Sequence, residues 1–153
     1  NLDQNLHLKN LGPEPLEKKF NFIYFKQYII NKNRTIKDIL MDQKFISGLG
    51  NIYVNETLFF SGIKPTKKVK NLTEGEIRKI IKFIKKILSK AITLGGSSIK
   101  NFSSDNGKKG LFQQYFSVYG KKGDKCSKKS CGSDIIKIVI SNRATFYCNK
   151  CQK

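Results

Sequence analysis

Four cysteines near the end of the chain are the residues best suited to chemistry. Four residues separate Cys126 from Cys131, two separate Cys148 from Cys151, and sixteen lie between the pairs. Short cysteine pairs on turns let two thiolates converge on one tetrahedral ion, and a spacer of this length allows a hairpin that brings the second pair to it. The spacing predicts one structural Zn²⁺ in a closed coordination sphere. Free thiols or a redox pair are the alternatives.

The charge of the chain is the second chemical signal. It has 30 basic against 11 acidic residues, a net charge of +19, and 27 of the basic residues are Lys. Codon bias explains Lys in place of Arg, but it does not suppress Asp and Glu. A surface this positive attracts polyanions, so a nucleic acid is favoured over an anionic membrane surface as the partner. No apolar run approaches the roughly 18 residues that span a bilayer.

The elements that must position these residues are predicted from apolar periodicity. Four helices are expected, over residues 16–30, 35–43, 51–62 and 73–94. Thr73 and Glu76 have the spacing of a capping box, and Gly95 with Gly96 ends the last helix. A long polar loop follows over residues 97–110, and loops of this length are often functional.

After Gly120 the pattern changes to β structure. Residues 135–140 and 144–148 predict two strands, joined by Ser141, Asn142 and Arg143. We therefore expect a mainly α fold in two parts. Residues 1–120 form a helical domain, and residues 121–153 form a β-hairpin ribbon that carries the four cysteines.

Several segments match, in one order, the motifs of a known family. They are residues 11–16, 40–44, 48–56, 95–98, 118–120 and 143–153. The match spans nearly the whole chain from Leu11, and its last segment is close to diagnostic. The chain resembles the C-terminal half of formamidopyrimidine-DNA glycosylases, which act in base-excision repair; endonuclease VIII relatives share the architecture but fit this ending less well. The resemblance implies a helix–two-turns–helix bundle followed by a four-cysteine zinc ribbon.

The resemblance also implies DNA contacts at five residues, which are Lys32, Lys37, Gly50, Asn51 and Arg143. Gly50 and Asn51 lie at a predicted helix N-terminus, where N–H groups and the positive end of the dipole favour a phosphate. Asn51 can also be a plain N-cap, which is compatible with a phosphate contact. Ordinary solvated side chains are the alternative for the two lysines, and a surface ion pair is the alternative for Arg143. The guanidinium of Arg143 can bridge two phosphate oxygens. In the family the matching Arg grips the phosphates of the damaged nucleotide and is implicated in the lyase steps, so Arg143 is also the catalytic candidate.

The family's nucleophile is not found in this chain. In the family an N-terminal Pro, followed by Glu, forms a Schiff base with the sugar through its imino nitrogen. This chain begins with Asn1 and Leu2, which reads as the start of a fragment or of a processed chain. We expect it to bind duplex DNA but to be inactive alone, whereas the intact enzyme excises oxidised purines and nicks abasic strands.

Further expectations concern the setting of the chain. Its partner is double-stranded DNA with oxidised bases or abasic sites, and residues 101–110 correspond to the family's lesion-capping loop over an everted base. The chain acts as a monomer, without a membrane, in the bacterial cytoplasm at the nucleoid. The alternative is a non-enzymatic zinc-ribbon protein that binds nucleic acid and never had a catalytic half.

Overall fold

The computed structural model describes residues 10–93 and 116–153. In these two ranges four α-helices precede one antiparallel β-hairpin. The elements are α1 (Phe22–Tyr28), α2 (Ile36–Leu40), α3 (Asn51–Ser61), a 3₁₀ turn (Val69–Asn71), α4 (Glu74–Thr93), β1 (Ile135–Ile140) and β2 (Arg143–Cys148). The predicted order of helices and then a hairpin is confirmed. The predominance of helix, the bundle arrangement and the boundary after residue 120 stay predictions.

The first helix is shorter than the sequence indicated. It begins only after Asn21, whose Oδ1 accepts the N–H of Tyr24 at 2.9 Å. Asparagine is a favoured N-cap, and the residues before it form turns, in which the Glu17 carboxylate accepts the N–H of Glu14. The prediction of a helix from residue 16 is therefore wrong. Phe20 is fully buried without being helical, so the apolar spacing there reflects core packing.

The second helix has five residues instead of the nine predicted over residues 35–43. Thr35 caps it, because its Oγ1 accepts the N–H of Asp38 at 3.1 Å. The chain then leaves the helix before Asp42, whose carboxylate accepts the N–H of Lys44 at 2.9 Å and the guanidinium of Arg34 at 2.8 Å. These side-chain bonds compete with a further helical turn.

The ends of the longer helices agree better with the prediction. α3 begins at Asn51, and Gly62 follows it with φ of 73°, a left-handed conformation that glycine adopts without strain. Both bonds of the predicted capping box are present before α4, because Glu76 N–H donates to Thr73 Oγ1 at 3.1 Å and Thr73 N–H donates to Glu76 Oε1 at 2.9 Å.

Some sequence predictions fall outside the described residues. The stop at Gly95 and Gly96 and the polar loop over residues 97–110 belong to this group. Within residues 10–93 and 116–153, no helix has both the length and the apolar character needed to cross a bilayer.

Two hydrophobic clusters make up the core, and α3 contributes to both. The larger cluster lies among the four helices and includes Phe25, Leu40 and Leu58. The smaller one lies under the hairpin and includes the neighbouring Phe59 together with Phe146. Consecutive side chains of α3 thus face different clusters, so α3 is the element that joins the hairpin to the helices.

Candidate metal centre and nucleic-acid interface

The hairpin places Arg143 directly after a tight turn. Ser141 and Asn142 have φ of 50° and 65°, so both central residues of the turn are left-handed, as a two-residue type I′ hairpin requires. β2 therefore begins at Arg143, which pairs with Ile140, one residue earlier than predicted. The side chain of Arg143 is exposed at this tip.

The four cysteines meet at the other end of the hairpin. Their Sγ atoms all lie within 4.8 Å of one another, and none forms a disulfide. The Cys126–Cys151 sulfurs are 3.7 Å apart and the Cys131–Cys148 sulfurs 3.5 Å apart. A tetrahedral ion with metal–sulfur bonds of about 2.3 Å requires sulfurs about 3.8 Å apart. The predicted ligand set is thus brought together with the spacing of a four-thiolate metal centre.

The charges of these thiols also fit a cation. The backbone N–H of Ser133 and then the neighbouring thiols lower the pKa of Cys131 to about 6, which favours a thiolate at neutral pH. Burial and then the other three thiols raise the pKa of Cys151 to about 12. A second thiolate so close to the first is repelled by it, and a dication between the sulfurs would remove that repulsion.

The N-terminus of α3 lies against the strand that carries Arg143. Gly50 occupies the N-cap position and provides no side-chain cap. Asn51 is the first helical residue, so the alternative that it is the N-cap is wrong. Its Nδ2 instead donates to the carbonyl of Ala144 at 3.0 Å, across 93 residues of sequence. Gly50 and Asn51 therefore lie close to Ala144, the neighbour of Arg143 in β2, and the DNA contacts of these residues stay predictions.

Lys37 reaches the same strand from α2, but from inside the protein. It is 1% exposed, and its Nζ donates to Thr145 Oγ1 at 2.9 Å. Burial, and then the positive charge of Arg143, lower the pKa of Lys37 to about 8. Its ammonium thus adds positive charge beneath Arg143 instead of projecting into solvent, and a direct contact with DNA stays a prediction.

Lys32 lies apart from this cluster. It sits in the turn between α1 and α2 with its Nζ 4.7 Å from the ring centre of Tyr28. In the described ranges no hydrogen bond joins it to α3 or to the hairpin. Its proposed contact with DNA is not tested by these interactions.

Two polar residues inside α3 were not assigned a role from the sequence. Asn55 is completely buried, and its Oδ1 accepts the N–H of Phe146 at 2.7 Å. Glu56 is 3% exposed and accepts the N–H groups of residues 117–119 at 2.6 to 3.0 Å. Burial raises the pKa of Glu56 although these donors favour its charged form. The available signal was an asparagine and a glutamate side by side in a largely apolar helix, since such residues require partners when they are buried.

Comparison with known proteins agrees with this arrangement. Residues 11–103 match the family model described as the formamidopyrimidine-DNA glycosylase H2TH domain. The chain is 44% identical over 146 residues to the formamidopyrimidine-DNA glycosylase of Enterobacter sp. (strain 638), covering 95% of this chain and 54% of the relative. It is 44% identical over 143 residues to that of Rickettsia canadensis, covering 94% of this chain and 52% of the relative.

Comparison with solved structures leads to the same family. The chain is similar to Lactococcus lactis Fpg in a complex with DNA containing an abasic site, with a TM-score of 0.84, 39% identity, and coverage of 99% of this chain and 55% of the other. A complex of that protein with DNA containing FAPY-dG has a TM-score of 0.83 at 38% identity, over 99% of this chain and 54% of the other. The chain thus spans about half the length of the relatives that it matches. It belongs to the formamidopyrimidine-DNA glycosylase family.

Proposed function

We propose that this chain is the damaged-DNA-binding part of a bifunctional DNA glycosylase and AP lyase that excises oxidised purines. The observation that carries the proposal is that α3 and α2 both bond to β2 beside the exposed Arg143. Asn51 at the N-terminus of α3 donates to the Ala144 carbonyl, and the buried Lys37 of α2 donates to Thr145. A helix N-terminus and an Arg fork are both suited to phosphate oxygens.

The overall charge supports duplex DNA as the partner. A net charge of +19 gives strong, salt-dependent attraction to a polyphosphate backbone, and the contacts named above give it a preferred position. The Lactococcus lactis relatives were solved with DNA that contains FAPY-dG or an abasic site. By analogy, this chain binds such sites as a monomer, in the bacterial cytoplasm at the nucleoid.

Zn²⁺ is the metal that best fits the four cysteines, because four thiolates at tetrahedral spacing suit it and leave no open position. When bound it supplies structure and no reaction step. Cys126, Cys131, Cys148 and Cys151 hold the base of the hairpin together, and the hairpin in turn supports Arg143 at its other end.

The chemistry is divided between the two halves of the enzyme. The resemblance implies that the attacking imino nitrogen belongs to an N-terminal Pro, which these 153 residues do not supply. Arg143 holds the phosphates of the damaged nucleotide, which fixes the sugar while its base is everted. The 153-residue polypeptide alone therefore binds DNA without excising a base.

Arg143→Lys tests the DNA interface directly. Lysine keeps the charge but loses the planar fork, so we expect about tenfold weaker binding to a duplex containing an abasic-site analogue. Fluorescence anisotropy at fixed salt measures the Kd. Arg78→Lys is the matched control, because Arg78 is exposed and paired with Glu74 at 3.1 Å on α4. Equal Kd values for the two variants would mean that only net charge matters at the tip.

Lys37 gives the interface a characteristic pH dependence. Its pKa is about 8 in the folded chain against 10.5 ordinarily, so its charge is lost above about pH 8 in the folded state. DNA affinity should fall by up to about fivefold between about pH 7 and about pH 9.5, as one cation near the phosphates is neutralised. Binding titrations at several pH values check this.

The stability of the free chain should respond to pH with the opposite sign. Between about pH 8 and about pH 10.5 the unfolded chain binds more protons at Lys37 than the folded chain, so the free energy of unfolding rises with pH. Urea unfolding measures this change. Lys37→Met keeps the apolar stem and should remove both pH dependences; if they persist in Lys37→Met, other groups cause them.

A further inference from the structure

The outer edge of β2 requires partners that β1 does not supply. The hairpin has two strands, so some backbone groups of β2 do not pair with β1, and two of them bond to side chains of α3. Among them are the carbonyl of Ala144 and the N–H of Phe146, on either side of Thr145. An edge strand left unpaired and buried loses hydrogen bonds to water without replacement, which is costly.

Two asparagines of α3 pair with this edge as a neighbouring strand would. Asn51 and Asn55 are one helical turn apart, so their side chains lie on the same face. Asn51 Nδ2 donates to the Ala144 carbonyl at 3.0 Å, and Asn55 Oδ1 accepts the Phe146 N–H at 2.7 Å. Asn55 is 0% exposed, and its own Nδ2 donates to the carbonyl of Asn51 at 2.8 Å. The carboxamide of Asn55 is thereby fixed at both ends.

The hydrogen bond between Asn55 and Phe146 differs from the other hydrogen bonds between the helices and this part of the hairpin. Ser141 donates to Asp38 at 2.7 Å, but that contact is exposed to solvent. Lys37 donates to Thr145, whose hydroxyl also donates to the carbonyl of Arg143 at 3.1 Å. A bond to the backbone fixes the path of the strand itself. Asn51 makes one to the Ala144 carbonyl and Asn55 one to the Phe146 N–H, and of these two the Asn55 bond is the buried one.

We propose that Asn55 is a positioning residue for Arg143. Its bond to Phe146 sets how β2 lies against the N-terminus of α3, and so sets the distance from the Arg143 guanidinium to the phosphate site at Gly50. Asn55 itself is buried and touches no DNA. The inference rests on the proposed function, since it assigns to Asn55 a role in DNA binding that Arg143 carries out.

The test compares three substitutions on α3. Asn55→Ser keeps a short hydroxyl that bonds back to the carbonyl of Asn51 but does not reach Phe146. Asn55→Asp keeps an oxygen facing the Phe146 N–H, and its second oxygen, protonated because burial disfavours the charged form, donates to the carbonyl of Asn51. Thr57→Val is the matched control, because the Thr57 hydroxyl is buried without a hydrogen-bond partner in the described part of the chain and valine has the same shape.

The expected results separate positioning from general stability. Asn55→Ser should weaken binding to the abasic-analogue duplex about fivefold to tenfold, whereas Asn55→Asp should stay within about threefold and Thr57→Val within about twofold. Metal content and helical circular dichroism should match the unchanged chain in all three. In Asn55→Ser the amide of Phe146 should lose its protection from hydrogen exchange.

A double-mutant cycle decides whether Asn55 acts through Arg143. In an Arg143→Ala background, Asn55→Ser should change the Kd by less than about twofold, because the side chain that it positions is gone. An equal loss in both backgrounds, or no loss in either, overturns the inference. Failure of the proposed function gives a different result from failure of this inference. In that case Arg143→Ala alone would bind the duplex with the same Kd as the unchanged chain.

Discussion

Replacement of Cys148 by Ser is expected to unfold the hairpin and to leave the helical core folded. Cys148 is fully buried, and its Sγ lies 3.5 Å from that of Cys131. Binding of structural zinc contributes on the order of 10 kcal/mol or more to the folding of small ribbons, and an isolated two-stranded hairpin is marginal without such help. The helical cluster around Phe25 and Leu40 contains none of the four cysteines.

The test of Cys148→Ser measures metal content, the folding of the hairpin and the folding of the helices. The unchanged chain should contain about one zinc per molecule, and Cys148→Ser should lose it with the exchange protection of residues 135–140. Helical circular dichroism should fall only slightly, although Phe59 and the end of α3 lose the hairpin that covers them. Ser127→Ala, at an exposed residue beside Cys126, is the control. A folded hairpin with four freely titratable thiols and no metal would remove the metal centre from the proposal.

The consequence for DNA binding follows from the same contacts. Arg143 keeps its position relative to α3 only while β2 remains folded against Asn51 and Asn55. We therefore expect Cys148→Ser to lose at least as much affinity as Arg143→Ala, although the altered residue lies at the opposite end of the strand.

Local features of this chain were predictable from sequence because their chemistry is local. The capping box at Thr73 needs only residues three positions apart, and both of its bonds form. The spacing of the cysteines needs only a hairpin between the pairs, and that hairpin is present. In each case the partners are neighbours in sequence or are joined by one turn.

The start of α1 could not be predicted because two local signals conflicted. Apolar spacing from residue 16 favoured a helix, whereas Asn21 and the turn closed by Glu17 favoured a later start. The helix begins where Asn21 caps it, and Phe20 is fully buried although it lies before the helix. Periodicity alone does not distinguish a helical face from a turn that packs on the core.

The position of Lys37 was hidden for a different reason. A lysine in so basic a chain reads as a surface group, and its burial depends on Thr145, which is 108 residues away in sequence. The same holds for Asn55 and Phe146. A single sequence shows which polar residues lie in an apolar helix, but not which distant backbone group each one satisfies.

The final prediction concerns the covalent chemistry. The 153-residue polypeptide, incubated with abasic duplex and borohydride, should give no more adduct than a denatured control. Borohydride traps a covalent adduct only if an unprotonated amine of the protein condenses with the C1′ aldehyde of the sugar. This condensation releases water and forms an imine, which borohydride then reduces to a stable amine. In the family that amine is the imino nitrogen of the N-terminal Pro, and we expect no lysine of residues 10–93 and 116–153 to substitute for it.

Among the lysines that the structure describes, Lys37 most nearly qualifies as such an amine, because its pKa is lowered, but its surroundings exclude it. With a pKa of about 8, Lys37 is unprotonated in roughly a tenth of the molecules at neutral pH. Its Nζ is nevertheless directed to Thr145 at 2.9 Å, and the residue is 1% exposed, so a sugar C1′ has no approach to it. If an adduct forms rapidly with the unchanged chain but not with Lys37→Met, this lysine reaches the surface and attacks the sugar aldehyde.

Fusion to the N-terminal half of a relative supplies the complementary result. With that half present, trapping and excision of oxidised purines should both appear, at rates many orders of magnitude above the isolated chain. Arg143→Ala in the fusion should then lower strand nicking, because the phosphates that hold the sugar are released. In the isolated chain the same substitution should alter DNA binding only, so the two backgrounds together separate the grip on DNA from the chemistry.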